Sequence, residues 1–438
     1  MTKSRGQRRI AVILCLIPAA YFLLTAVYAL LNYGDFASDM PRLMRYVIGP
    51  LAIVAILALC AFALSADTSL MIGITATSIL IGLFVFEGYM RLQLLPQQIG
   101  LAGVVDDDVD LGRFGNAMPP AYTIKSMNFQ LNTERLSDAV LSGVPDEEIM
   151  LCSRMGEPVV SRSDENGFRN PLPLPEAPVD LMVIGDSFAE GICLPDGAHF
   201  VDQLREGDFS VMNTASRGSG PLFELAVLGR YGPIYQPDTT LMAFFEGNDW
   251  ENLANEAVVP WMAEALEPGA DFGAAEWTDL RRGQISEVIS DWWSGSAASI
   301  NEYLRRRSFL RNLLALQNTA NILGLHYPKA MDENPDYERV LRRGREIAGE
   351  WGGKLVVVYI PSLDRFGGLF PHEFVQDPLR GMVLGAADRA GVEVIDLTPV
   401  FREAEEAGSL YAPDSHFNAR GATLAAETIL NHPAILSD

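Results

Sequence analysis

Leu181-Met182-Val183-Ile184-Gly185-Asp186-Ser187-Phe188-Ala189-Glu190-Gly191 is the stretch that decides how the larger part of this chain folds. Four consecutive apolar residues closed by a glycine read as a short buried strand. Ser187 then stands just past the carboxyl end of that strand, where open α/β sheets bind their ligands. A serine that opens a helix at this point has its own backbone N–H free to face an oxyanion. Gly-Asp-Ser alone is a string of common turn residues and does not settle the chemistry.

Further strand patterns follow at Ser210–Asn213, Thr240–Phe245, Lys354–Ile360 and Val392–Leu397. Helical patterns separate them at Gly197–Arg205, Leu222–Tyr231, Tyr337–Trp351 and Pro378–Ala390. This alternation predicts an α/β fold with a parallel sheet covered on both faces. Polar blocks follow two of the later strands: Asn213-Thr214-Ala215-Ser216-Arg217-Gly218 and, after Phe244-Phe245, Glu246-Gly247-Asn248-Asp249. A last block, Asp414-Ser415-His416-Phe417-Asn418, lies near the C-terminus.

Serine, glycine, asparagine and histidine in that chain order are the four block residues of the SGNH (GDSL-type) hydrolases, and residues 181–430 resemble that family. The resemblance implies a three-layer αβα sandwich with a flavodoxin-like central sheet. It also implies an oxyanion hole built from Ser187, Gly218 and Asn248. Gly218 is preferred to Gly220 because its five-residue offset from Asn213 matches the family. One departure is visible: many members carry Asp-x-x-His, whereas this chain has Asp414-Ser415-His416.

The chemistry follows from the residue types. A serine hydroxyl is a weak nucleophile at neutral pH and needs a base within hydrogen-bond reach. Of five histidines, His416 has an acid two residues before it and a Phe-Asn-x-x-Gly turn after it. Asp414 is the expected partner that orients and charge-balances the imidazole. Asp186 and Asp249 are expected to hold loops by accepting backbone N–H groups. The chain shows no P-loop, no dinucleotide glycine pattern and no His/Cys metal spacing, so no cofactor and no metal are expected.

The N-terminal region has a different character. Lys3, Arg5, Arg8 and Arg9 precede an apolar run over 10–31, and further apolar runs cover 47–64 and 70–86. At about 1.5 Å per helical residue the first run matches a hydrocarbon core of about 30 Å. It is longer than the about 7–15 apolar residues of a cleaved signal peptide. Residues 1–91 are therefore read as an anchor of three transmembrane helices, with Ser65–Ser69 as a polar hairpin between the second and third. The basic N-terminus is expected in the cytoplasm of a bacterial inner membrane, with everything after Arg91 periplasmic or its equivalent. Arg42 and Arg45 on the outer side reduce that charge bias. The net charge of −23 makes nucleic acid an unfavourable partner.

Residues 92–180 are read as an extension and linker, and 181–438 as the hydrolase-like domain. The acidic run Asp106–Asp110 lacks the spacing of a calcium loop and is read as solvated. Ser163–Pro171 reads as a turn and an extended piece that packs on the sheet; similar Asp-Glu-x-Gly-Phe-Arg-Asn strings precede the serine block in some membrane-anchored GDSL-type proteins. Cys152 and Cys193 pair only in an oxidising compartment, and two free thiols are an equal alternative. Residues 250–335 interrupt the strand–helix alternation with five tryptophans and a basic amphipathic segment around Tyr303–Leu316. This insertion admits three readings: a lid, a surface facing membrane or partner, or a cap packed on the sheet.

Taken together these features lead to a membrane-anchored serine esterase that acts on acyl esters, O-acetyl above all, of cell-surface glycans or lipids. The alternatives are an O-acyltransferase working with a membrane-bound partner on an exported polysaccharide, and a catalytically silent glycan-binding scaffold.

Overall fold

The computed structural model describes residues 2–99, 123–154, 157–296, 307–325, 332–368, 371–412 and 414–436. The acidic run Asp106–Asp110 and the first part of the segment around Tyr303 lie outside the described residues. The chain forms two compact units. One comprises 1–95, 301–331 and 367–376; the other comprises 96–300, 332–366 and 377–438.

The first unit is built on three long apolar helices, α1 (Thr2–Leu31), α2 (Met40–Ala63) and α3 (Ala66–Ile99). Each holds a window long and apolar enough to cross a membrane. α1 runs through Pro18, and α2 contains a π-helical turn over Met44–Ile48. Two details differ from expectation. The polar hairpin is only a break at Leu64–Ser65, because Ala66–Ser69 already belong to α3. α3 also continues well past residue 86, since Glu87 and Arg91 lie one turn apart and pair with each other at 3.0 Å. An i,i+4 pair of opposite sign lets a helix carry both charges without ending.

The second unit holds a mostly parallel α/β arrangement. A β-hairpin, β1 (Glu148–Arg154) and β2 (Glu157–Arg162), precedes it and pairs antiparallel. The main elements are then β3 (Leu181–Ile184), α4 (Ser187–Glu190), α5 (Phe200–Leu204), β4 (Val211–Asn213), α6 (Pro221–Tyr235), β5 (Thr239–Phe245), α7 (Asp249–Ala257), α8 (Pro335–Gly349), β6 (Lys354–Ile360), β7 (Glu393–Asp396) and α9 (Ala419–Leu430). The five strands β3–β7 form one sheet in the order β4-β3-β5-β6-β7, every neighbouring pair parallel. The strand order reverses between β3 and β5, which makes a crevice at their carboxyl ends.

The alternation of side chains along a strand sets the two faces. Val183, Leu241, Ala243, Val356 and Val358 pack under α5 and α9 with Phe200, Leu204, Ala425 and Ile429. Phe244, on the opposite face, meets Tyr337 of α8 at 5.0 Å between ring centroids. The chain is thus an α/β sandwich with helices on both sides of a parallel sheet, preceded by three long apolar helices. Trp250 and Trp261 are buried against Phe244 and Phe223, so they belong to the core and are not open for stacking on a ligand.

Candidate active site

The site forms at the carboxyl edge of the sheet. β3 is followed by Gly185, where a Cβ would lie 2.8 Å from the Ala243 Cβ and 2.9 Å from the Ala189 Cβ. Only a glycine lets the serine loop lie this close to β5. Asp186 then caps α4, its Oδ1 accepting the Phe188 N–H at 2.9 Å. This leaves Ser187 as the first helical residue with its N–H pointing forward from the cap. Burial pushes the Asp186 carboxyl up to about 6, and the Phe188 N–H draws it back toward the ionised form. Its work is local: it holds the loop, as the sequence suggested.

His416 reaches the serine from the far end of the chain. Its Nε2 lies 2.8 Å from Ser187 Oγ. The turn that carries it is tied at both ends: Ala412 N–H donates to His416 O (2.7 Å) and Asn418 N–H to Leu410 O (3.0 Å). Asn418 caps α9 by accepting from the N–H groups of Arg420 and Gly421. Phe417 packs on Phe188 and Phe401, which anchors the turn in the core. The imidazole itself lies 4.9 Å from the Phe188 ring.

Asp414 is close to His416 but is not placed to hydrogen-bond its ring. Its Oδ2 is 3.7 Å from His416 Nδ1, while its Oδ1 accepts the His416 backbone N–H at 3.2 Å. Spacing explains this. With one residue between acid and base, and with that residue, Ser415, at a φ of 71°, the carboxylate curls onto the backbone as in an Asx turn. The separation from Nδ1 exceeds a hydrogen bond yet lies within ion-pair range.

The loops carrying Gly218 and Asn248 are each fixed by a buried ion pair. Arg217 donates to Glu190 from its backbone N (2.8 Å), Nε (2.9 Å) and Nη2 (2.6 Å), and from Nη1 to Met150 O (2.8 Å). Gly218 follows with a φ of 73°, and a Cβ there would stand 2.5 Å from Thr123 Cγ2. On the other side, Glu246 takes hydrogen bonds from Tyr359 Oη, the Ser362 N–H and Arg365, an ion pair at 2.7 Å with both side chains fully buried. Asp249 Oδ2 accepts the Phe245 N–H at 2.6 Å. Asn248, held between these two acids, is the N-cap of α7 but makes no capping bond with its side chain. Its Oδ1 is buried without a hydrogen-bond partner among the described residues.

Arg169 is a positioning residue that the sequence placed only as packing. Its guanidinium is buried and donates to the carbonyls of Glu190 (3.0 Å), Gly191 (2.7 Å) and Leu194 (2.8 Å), and to Asp196. Asn170 links the same segment to β4, donating to Asn213 O and accepting the Asn213 N–H, each at 2.8 Å. Cys152 and Cys193 are joined by a disulfide that ties β1 to this loop. Glu190, Arg217 and Arg169 went unassigned because their partners lie far away in sequence. The one available signal was their position inside or beside the blocks.

Beside Ser187 and His416 lies a shallow depression without enclosed room for a water molecule. Phe188, Ile192, Leu194, Phe200, Phe417 and Ala422 line it. Behind the site, Asp186, Glu224, Asp249 and Glu256 are all buried, with Lys125 bonded to Glu256 at 2.7 Å. Burial, and then the charges of Asp249 and Asp186, push Glu224 well above the ordinary carboxylate range. Asp249 is raised in the same way by burial and Asp186. Among the described residues no cluster of three or more histidine, cysteine or acidic side chains could hold a metal ion.

No family model and no curated protein matches the chain. The chain is similar to several solved structures, two of which follow. One is a member of the lipolytic G-D-S-L family from Veillonella parvula, at 12% identity and a TM-score of 0.31, covering 57% of this chain and 96% of that one. The other is LAE5, an α/β hydrolase from the metagenome of Lake Arreo, at 13% identity and a TM-score of 0.32, covering 60% of this chain and 99% of that one.

Proposed function

We propose that the chain is a membrane-anchored serine esterase of the SGNH type, with its hydrolase unit on the outer side of a bacterial inner membrane. The observation that carries this reading is the 2.8 Å contact between Ser187 Oγ and His416 Nε2 at the carboxyl edge of the sheet. In the proposed reaction His416 takes the serine proton as Oγ attacks the ester carbonyl. The Ser187 and Gly218 N–H groups and the Asn248 amide receive the oxyanion. The intermediate collapses, His416 returns the proton to the leaving alcohol, and water then releases the acyl group by the same steps. Asp414 balances the imidazolium from ion-pair distance.

The depression at Ser187 is lined mainly by apolar side chains and has no enclosed room for a long acyl chain, which favours a small acyl group. O-acetyl esters of glycans or lipids at the cell surface fit that size, and three apolar helices would keep the enzyme beside them. The test is hydrolysis of p-nitrophenyl acetate by the full-length chain in detergent. The wild type should turn over, with Ser187→Ala and His416→Ala lower by about 10⁴–10⁶-fold. A folded wild type no faster than Ser187→Ala would remove the esterase reading.

A further inference from the structure

The membrane unit contains a piece of chain that does not span. Helices Arg307–Leu314 and Gln317–Ile322 belong to it, together with the three long helices. Their inner side is fastened at several points. Tyr21 Oη donates to Leu314 O (2.9 Å) and Arg45 Nε to Leu325 O (2.6 Å). Glu87 accepts from the Asn318 N–H (3.2 Å), the Thr319 N–H (2.8 Å) and Thr319 Oγ1 (2.9 Å). The Arg91 guanidinium lies over the Phe309 ring at 5.3 Å.

The outer side is apolar and uncovered. Leu310 is 56% exposed, Leu314 52% and Ile322 49%. Leu310 and Leu314 lie one turn apart and share a helix face. Arg311 stays exposed beside them, its Nε donating to the adjacent Asn312 (3.1 Å). Two further arginines, Arg305 and Arg306, precede the helix in sequence.

Three of the four fastening residues lie toward one end of an apolar span: Arg45 near the start of α2, and Glu87 and Arg91 at the end of the apolar part of α3, with the exposed Tyr89 between them; Tyr21 lies deeper, within the apolar part of α1. Tyrosines and arginines at the ends of apolar spans mark the boundary between hydrocarbon and headgroups. A leucine face beside arginines, held at that level, has the composition of a helix lying in the interface plane. The same unit exposes other apolar side chains suited to acyl chains: Leu24 and Val85 on α1 and α3 are 69% and 68% exposed.

We propose that 307–322 is an interfacial element of the membrane unit. Leu310, Leu314 and Ile322 lie among the acyl chains of the surrounding bilayer, and Arg311 meets lipid phosphate. The occupant of this face is bilayer lipid. The inference rests on α1–α3 spanning the membrane and is independent of any chemistry at Ser187.

The experiment uses the full-length chain with Cys15→Ala and Cys60→Ala, reconstituted in vesicles of phosphatidylethanolamine and phosphatidylglycerol. Single cysteines from Leu310→Cys or Leu314→Cys carry a bimane label. Leu24→Cys serves as the lipid reference, and Glu427→Cys, exposed on α9, as the water reference. Labels at 310 and 314 should be quenched severalfold more by acyl-chain nitroxide lipid than by aqueous iodide, as at 24 and opposite to 427. Quenching by iodide as at 427, or resistance to both quenchers as under a protein cover, overturns the proposal. Both positions are exposed, so either label decides the question if the other variant fails to reconstitute.

Discussion

The two sides of Ser187 are built differently. On the side of the proposed oxyanion donors, three loops are each held by a buried acid: Asp186 on the Phe188 N–H, Glu190 on Arg217, and Glu246 on Arg365. On the base side, His416 rides a turn closed by backbone bonds and one aromatic anchor, and Asp414 stops 3.7 Å short of its ring. Buried charge pairs cost desolvation and leave a large penalty if one partner is removed. The proposed donors are thus braced by buried charge, and the proposed base by backbone bonds and aromatic packing. Preorganised donors act without reorganisation at the moment of reaction, whereas a proton carrier must serve two atoms in turn.

The contrast can be broken most severely at Glu190. Glu190→Gln strands Arg217 beside Gly218, and thermal or urea unfolding should show a loss of about 3–5 kcal/mol. A loss near zero would mean the ion pair does not brace the loop. Gly218→Ala comes next. The added Cβ meets Thr123 Cγ2 and demands a left-handed backbone, so esterase turnover should fall about 10²–10³-fold, the worth of one oxyanion donor. Unchanged turnover would move that role elsewhere.

Glu224→Gln addresses the acids behind the site. Glu224 is held well above the ordinary glutamate value of 4.5. It therefore stays neutral in the native state where the unfolded chain would ionise. Its contribution is whole below about pH 4.5 and is lost as pH rises through the native value. The glutamine variant should match wild type at pH 4.5 and unfold at a higher temperature at pH 8. Each kcal/mol recovered raises the midpoint by about 2–4 °C in a domain of this size. A midpoint gain at pH 4.5, or none at pH 8, contradicts the assignment. The smallest effect belongs to Asp414→Asn: turnover should fall about tenfold or less, or about 1.4 kcal/mol. A far larger loss would show that the carboxylate closes on Nδ1 when substrate binds.

The same contrast explains what the sequence made legible. The central strands were plain because buried parallel strands read as apolar runs, and the serine, glycine and asparagine blocks follow β3, β4 and β5 directly. The short spacing before His416 already set Asp414 apart from the other block residues. Arg169, Glu190 and Arg217 could not be read, because a buried charge declares itself only through partners brought near by folding. The length of α3 was hidden for a related reason: Glu87 and Arg91 look like the end of an apolar run until their mutual pairing is seen.

Every proposed step depends on Ser187 acting as a nucleophile activated by His416. Labelling of the full-length chain with a fluorophosphonate, followed by peptide mass spectrometry, tests it most directly. The serine oxygen bonds to phosphorus and fluoride leaves. One label per chain is expected on the peptide that contains Ser187, with much slower labelling in His416→Ala and none at that peptide in Ser187→Ala. A folded wild type that takes no label, or takes it equally well in Ser187→Ala, would contradict it.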